Sequence, residues 1–263
     1  MSEKTLRICH LYPDLLNLYG DRGNILCMRH RLEWRGIDAE VTEVTVGEQA
    51  DFTQFDLFFI GGGQDFEQEV LLSDLKAGKG SEIKAAIADG KTFLTICGGY
   101  QMLGKQIADP HGVETGGVIR GMGLLPVTTE LGEQKVRTRV GGEILGGMLD
   151  GCELNGYEIH MGISRPEGDC EPFCRIRDEI TGKERTDGIF AGNVCGTYVH
   201  GIFDHGSIAG KIVRHLAERK GLVLGEDGVD YGLFKEQQYD KLAATLRKYL
   251  DLDAIYKMMR EYE

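Results

Sequence analysis

Residues 92–104, TFLTICGGYQMLG, run from a β-branched and aromatic stretch into Cys97, pass through Gly98 and Gly99, and continue as a segment of helical character. That order predicts a strand, a sharp turn and a helix, with one thiol on the turn. The glycines let the backbone bend and keep bulk away from the sulfur. The helix would aim its N-terminal N–H groups and positive dipole end at it. A thiol so placed loses its proton readily and can act as a covalent nucleophile. The turn alone also fits a buried cysteine ending a core strand, so a partner base has to decide. His200, in GTYVHGIFD, follows an apolar strand that could lie beside the Cys97 strand, and Gly201 leaves its ring accessible. Imidazole can take the thiol proton and later protonate a departing amine, so Cys97 and His200 make a chemically complete pair for amide hydrolysis. His160 in YEIHMG is the rival base; His10, His30, His111, His205 and His215 have no comparable context. Acyl transfer also needs donors for an oxyanion. The GGG turn at 61–63 and the N–H of Gly98 would supply them from the backbone, with Gly62 or Gly63 as the expected donor in the turn.

The elements that must hold these groups read as an α/β sheet. LRICHLY (6–12), AEVTEVTV (39–46), FDLFFIGGG (55–63) and TFLTIC (92–97) are strand-like. The amphipathic NILCMRHRLEWRGI (24–37) separates the first two, and a largely helical stretch over 65–90, broken near Gly78 and Gly80, precedes the fourth. Apolar runs without alternation indicate strands covered on both faces of a parallel sheet. Ligands in such folds gather at the carboxyl ends of the strands, and both GGG and Cys97 fall there. From 119 to 200 the pattern turns to shorter strand-like pieces. Helical character returns at SIAGKIVRHLAERKG (207–221) and from Gln237 to the end, where Leu242, Leu246, Leu250 and Ile255 form an apolar stripe suited to packing. The expected organisation is one α/β domain over 1–224 and a C-terminal helical extension over 225–263 packed on it, joined at the acidic, Gly-containing GEDGVDYG.

Composition narrows the function classes. The 263 residues are 41% hydrophobic and 27% charged, enough for a sizeable core. A formal net charge of −12 argues against nucleic acid or an anionic membrane as principal partner. No apolar run approaches the ~20 residues that cross a bilayer, and MSEKTLRICHLY does not read as a cleavable leader, which predicts a cytoplasmic protein without a membrane span. Seven cysteines, an odd number in a chain too large to need staples, read as reduced thiols. Cys9, Cys27 and Cys195 read as core fillers. Cys170 and Cys174 lack the further ligands a zinc site needs. No metal and no cofactor are expected.

Together these segments resemble class I glutamine amidotransferases of the branch that includes cobyric acid synthase and the glutaminase subunit of lipid II isoglutaminyl synthase. The resemblance covers nearly the whole chain. LNLYGDRGNI (16–25), FFIGGGQDFEQ (58–68) and TICGGYQMLGK (95–105) look most like the lipid II subunit, whereas QKVRTRVGGEI, NGYEIHMG and GTYVHGIFD look closer to cobyric acid synthase. The resemblance implies a flavodoxin-like amidotransferase fold with a mostly parallel central sheet flanked by helices. It also implies a glutaminase with Cys97 as nucleophile and His200 as base. The usual triad places a glutamate two residues after the histidine; here Ile202 stands there, followed by Phe203 and Asp204. A Cys–His dyad, or a triad closed by an acid elsewhere in the chain, is therefore expected. The family's carboxylate-binding arginine falls best on Arg139, with Arg137 on the same strand face, and Gln101 joins Gly62, Gly63 and Gly98 in the expected substrate-binding set. L-Glutamine is the implied substrate. The implied partner is an ATP-dependent amide ligase subunit, since the chain has no GxxxxGK[ST] phosphate loop. The favoured partner is Mur-ligase-like and amidates the D-glutamate of lipid II. The alternatives are amidation of a corrinoid, or a non-catalytic binding protein of the same fold.

Overall fold

The computed structural model describes residues 4–63, 68–114, 116–204, 207–226 and 229–261. Residues 64–67 of the FFIGGGQDFEQ segment and His205 lie outside these. The chain divides into two compact units, Met1–Gly225 and Glu226–Glu263.

In the first unit the chain runs through β1 (Thr5–Leu11), α1 (Arg22–Glu33), β2 (Asp38–Val44), β3 (Leu57–Ile60), α2 (Gln68–Asp74), α3 (Gly80–Ala88), β4 (Thr92–Ile96) and α4 (Gly98–Leu103). A π turn over Leu75–Lys79, with Gly78 at φ 156°, joins α2 to α3, so the helical stretch breaks where its glycines stand. After a second sheet described below come β11 (Ile189–Ala191), β12 (Val194–Thr197) and α5 (Ile208–Arg219). Strands β11, β12, β4, β3, β1 and β2 form one sheet in that order. All its pairings are parallel except β11 with β12. Every residue of β3, β4 and β12 is buried, which is why these strands read as unbroken apolar runs. Strand β2 is mostly exposed and polar, as befits an edge. The sheet grows outward in both directions from β1, so a topological switch lies between β1 and β3, beside the carboxyl ends of β3, β4 and β12.

The second sheet contains β5 (Gln106–Asp109), β6 (Gly117–Arg120), β7 (Val127–Ile144), β8 (Glu153–Pro166), β9 (Cys174–Asp178) and β10 (Glu184–Asp187). It is antiparallel apart from β5 with β7. The short strand-like pieces expected over 119–200 thus merge partly into long ribbons, with a register irregularity between Leu131 and Val136 where β7 meets β8. The β8 residue Tyr157 bridges to His200 through two backbone hydrogen bonds, tying this sheet to the first.

The second unit consists of α6 (Tyr231–Tyr249) and α7 (Leu252–Glu261). Asp230 caps α6 by accepting from the Leu233 N–H. In this unit Leu242, Leu246 and Leu250 are exposed and Ile255 is half-buried. Periodicity marks a face and says nothing of what covers it. No helix among the described residues is long and apolar enough to cross a membrane.

His10, on β1, is buried edge-on to Phe59 with no hydrogen-bond partner for either ring nitrogen. Burial, with a smaller contribution from Arg22, lowers its pKa from 6.5 to about 4. Below pH 6.5 the unfolded chain therefore takes up a proton that the folded chain refuses until about pH 4, and stability is lost as pH falls through that window. His10→Leu should flatten that acid-side loss by on the order of 2–3 kcal/mol. Denaturant unfolding of both proteins at pH 7 and pH 4.5 checks it; an equal loss in the variant would clear His10.

Candidate active site

Cys97 immediately follows β4 and has φ 52° and ψ −110°, a left-handed conformation that a non-glycine residue adopts only when its surroundings enforce it. The enforcement is visible on both sides. Its N–H donates to the Thr197 carbonyl at the end of β12, and its carbonyl accepts from Gln101 N–H in α4. A Cβ on Gly99 would lie 2.6 Å from Ile60 Cγ2, so only glycine lets α4 start this close to β3. The strand–turn–helix read from TFLTICGGYQMLG is thus a strained elbow that lifts the sulfur off the sheet edge.

His200 lies three residues beyond β12, whose Thr197 pairs with Ile96 next to Cys97. The meeting point of the two side chains is marked by Gly62: a Cβ there would stand 2.9 Å from both Cys97 Cβ and His200 Cε1. The two groups are therefore no more than twice that distance apart. His200 is fully buried, stacked on Tyr157 at 5.4 Å and edge-on to Tyr19 at 5.3 Å. Its Nδ1 is 2.9 Å from Asp21 Oδ1, and Asp21 is fully buried too. The carboxylate accepts, so the ring proton sits on Nδ1 and the lone pair on Nε2, which has no hydrogen-bond partner. That is the tautomer a general base needs.

Asp21 supplies the acid that the sequence did not locate. It stands at the entry to α1 within LNLYGDRGN, 179 residues from its partner. The available signal was a lone acid inside the most specific of the resembling segments. Its other oxygen accepts from Gly62 N–H at 2.6 Å. Of the two glycines expected as donors, Gly62 has its amide engaged by Asp21, and what it contributes is the absence of a side chain. Gly63 lines the cavity over Cys97, and Gly98 opens α4 with an N–H that has no partner inside the helix.

The cavity over Cys97, about 230 Å³, is lined by Tyr19, Gly63, Gln101, Glu114, Lys135 and His160 among others. Gln101 is buried and donates from Nε2 to the Tyr198 hydroxyl at 3.1 Å. The rival base His160 also reaches this cavity. Its Nδ1 donates to the Gly162 carbonyl at 2.7 Å, and its Nε2 faces Glu158 Oε1 at 3.7 Å while the ring stacks on Tyr198. Arg139 lines a separate cavity of about 520 Å³ with Tyr157, Gly201 and Asp204, and the exposed Arg137 lines neither. The structure thus brings Cys97, His200, Gly63 and Gln101 together and leaves the arginine pair outside the thiol's cavity.

Three other thiols are core groups. Burial raises the Cys195 thiol to about 12 and pushes Cys9 and Cys174 up as well. They hold their protons and pack the core.

The sequence matches the CobB/CobQ-like glutamine amidotransferase domain over residues 7–208. Among curated relatives, a cobyric acid synthase of Ruminiclostridium cellulolyticum is 44% identical over 68% of this chain and 36% of its own length. One of Clostridium botulinum is 36% identical over 89% of this chain and 49% of its own. The chain therefore spans less than half the length of these relatives. Among solved structures, PurLQS from Thermotoga maritima superposes with a TM-score of 0.53 at 19% identity, covering 81% of this chain and 98% of that one, which is a likeness of fold.

Gly62→Ala should displace Cys97 and His200 and slow labelling of Cys97 by diazo-oxo-norleucine, a glutamine-like electrophile, at least about tenfold. The melting temperature should fall by several degrees while the protein stays folded at about 25 °C. Mass-spectrometric labelling rates check this; a wild-type rate in the variant would contradict the shared contact.

Proposed function

Because the chain belongs to the CobB/CobQ-like glutamine amidotransferase family, we propose that it is a glutaminase working through Cys97, His200 and Asp21. The observation that carries this reading is the buried Asp21–His200 contact beside the strained Cys97 elbow. In the proposed reaction Cys97 Sγ attacks the side-chain amide carbon of L-glutamine while His200 Nε2 takes the thiol proton. The N–H groups of Gly63 and Gly98 hold the oxyanion. The C–N bond then breaks, His200 passes the proton to the departing ammonia, and a glutamyl thioester remains. Water, deprotonated by His200, cleaves the thioester to glutamate and restores the thiol. Asp21 holds the imidazole in the required tautomer and balances its charge when it is protonated.

Ammonia is mostly protonated at neutral pH and escapes into solvent, so its use calls for an ATP-dependent ligase partner joined to this chain in the cytoplasm. We assign that partner to a Mur-ligase-like subunit that amidates the D-glutamate of lipid II. The resemblance of LNLYGDRGN to the lipid II glutaminase supports this, and that segment supplies Asp21. The second reading, amidation of a corrinoid, is supported by the relatives named cobyric acid synthase. Co-purification decides between them: a Mur-ligase-like protein that stimulates glutamine hydrolysis supports the first, a corrinoid synthetase the second.

Cys97→Ala should abolish glutamine hydrolysis with the fold intact; substantial remaining activity would remove Cys97 as nucleophile. Asp21→Asn should lower kcat on the order of a hundredfold or more with little change in KM. The amide would donate to Nδ1 and move the ring proton to Nε2. A wild-type kcat in that variant would reduce the machinery to a dyad.

A further inference from the structure

The cavity over Cys97 presents two opposite charges for which the thiol chemistry has no use. Lys135 and Glu114 both line it, alongside Cys97 and Gly63. We infer that Lys135 receives the α-carboxylate and Glu114 the α-ammonium of the amino-acid substrate, an inference that rests on the glutaminase reading.

The reaction handles only the side-chain amide, yet the rest of glutamine is a zwitterion that must give up part of its hydration on entering the cavity. Groups of opposite charge are needed to offset that loss. Both residues are positioned for it. Lys135 sits in the irregular stretch of β7 between Leu131 and Val136, where the ladder with β8 is interrupted. Its Nζ donates to the Tyr19 hydroxyl at 3.3 Å and lies 5.7 Å from the centre of that ring. Tyr19 in turn packs edge-on against His200, so the ammonium is anchored one aromatic ring away from the base. Glu114 is presented by a turn that the Asp109 carboxylate locks. Asp109 accepts from the N–H groups of Glu114, Gly116 and Val113, and those bonds, that of Glu114 foremost, hold its carboxyl below the usual range. Neither Lys135 nor Glu114 forms an ion pair with another described residue. The arginine expected to take the carboxylate, Arg139, lines the other cavity.

The test compares two electrophiles on the full chain. Diazo-oxo-norleucine carries the α-ammonium and α-carboxylate of glutamine; iodoacetamide carries neither. Lys135→Met and Glu114→Gln should each slow labelling of Cys97 by the first about tenfold and leave labelling by the second unchanged. Wild-type rates with both reagents in both variants would overturn the clamp while leaving the glutaminase reading in place. The loss appearing in Arg139→Met but not in Lys135→Met would move the carboxylate to Arg139 and also overturn it. If the wild-type chain reacts no faster with diazo-oxo-norleucine than with iodoacetamide, the glutaminase reading itself fails.

Discussion

One carboxylate holds the site together. Asp21 is fully buried and accepts two hydrogen bonds, from His200 Nδ1 and from the Gly62 amide. A buried charge without such donors is strongly unfavourable, and charge-assisted bonds of this kind are among the strongest a protein makes. The consequences extend outward. Because Oδ1 fixes the proton on Nδ1, Nε2 is left as the acceptor. Because Oδ2 draws in the Gly62 backbone, the GGG turn passes so close to Cys97 and His200 that no Cβ fits. A carboxylate at the start of one helix thus sets the tautomer of a histidine after β12 and the path of the loop after β3.

Around that carboxylate the strain and the packing have complementary parts. The positive φ of Cys97 is costly, and it is maintained by backbone hydrogen bonds to Thr197 and Gln101 and by the glycine contact of α4 with Ile60. The imidazole of His200 has aromatic neighbours, Tyr157 stacked and Tyr19 edge-on, and the Tyr157 hydroxyl donates to the Tyr19 carbonyl. Since Tyr157 belongs to β8, the second sheet supplies one wall around the His200 ring. The parallel sheet carries the thiol; the antiparallel one helps to orient His200, the proposed base.

Much of this was legible in the sequence where the signal is local. The Cys97 turn follows from a β-branched run, two glycines and a helix. His200 follows an apolar run that could lie beside the Cys97 strand, and β12 does pair with β4. Asp21 showed only as a lone acid within LNLYGDRGN, because its partner lies 179 residues away. The arginine pair shows the limit of strand alternation. Lys135, Arg137 and Arg139 alternate onto one side of β7, but at about 3.3 Å per residue a strand carries its first and last members some 13 Å apart, over different cavities.

The central claim is that Cys97, activated through His200, carries the acyl group. The most direct measurement is rapid acid quench of the protein during turnover of L-glutamine, followed by peptide mass spectrometry. The account predicts a glutamyl thioester on the peptide containing Cys97, formed as ammonia is released. Ammonia released with no adduct on Cys97, or with the adduct on another cysteine, would contradict it.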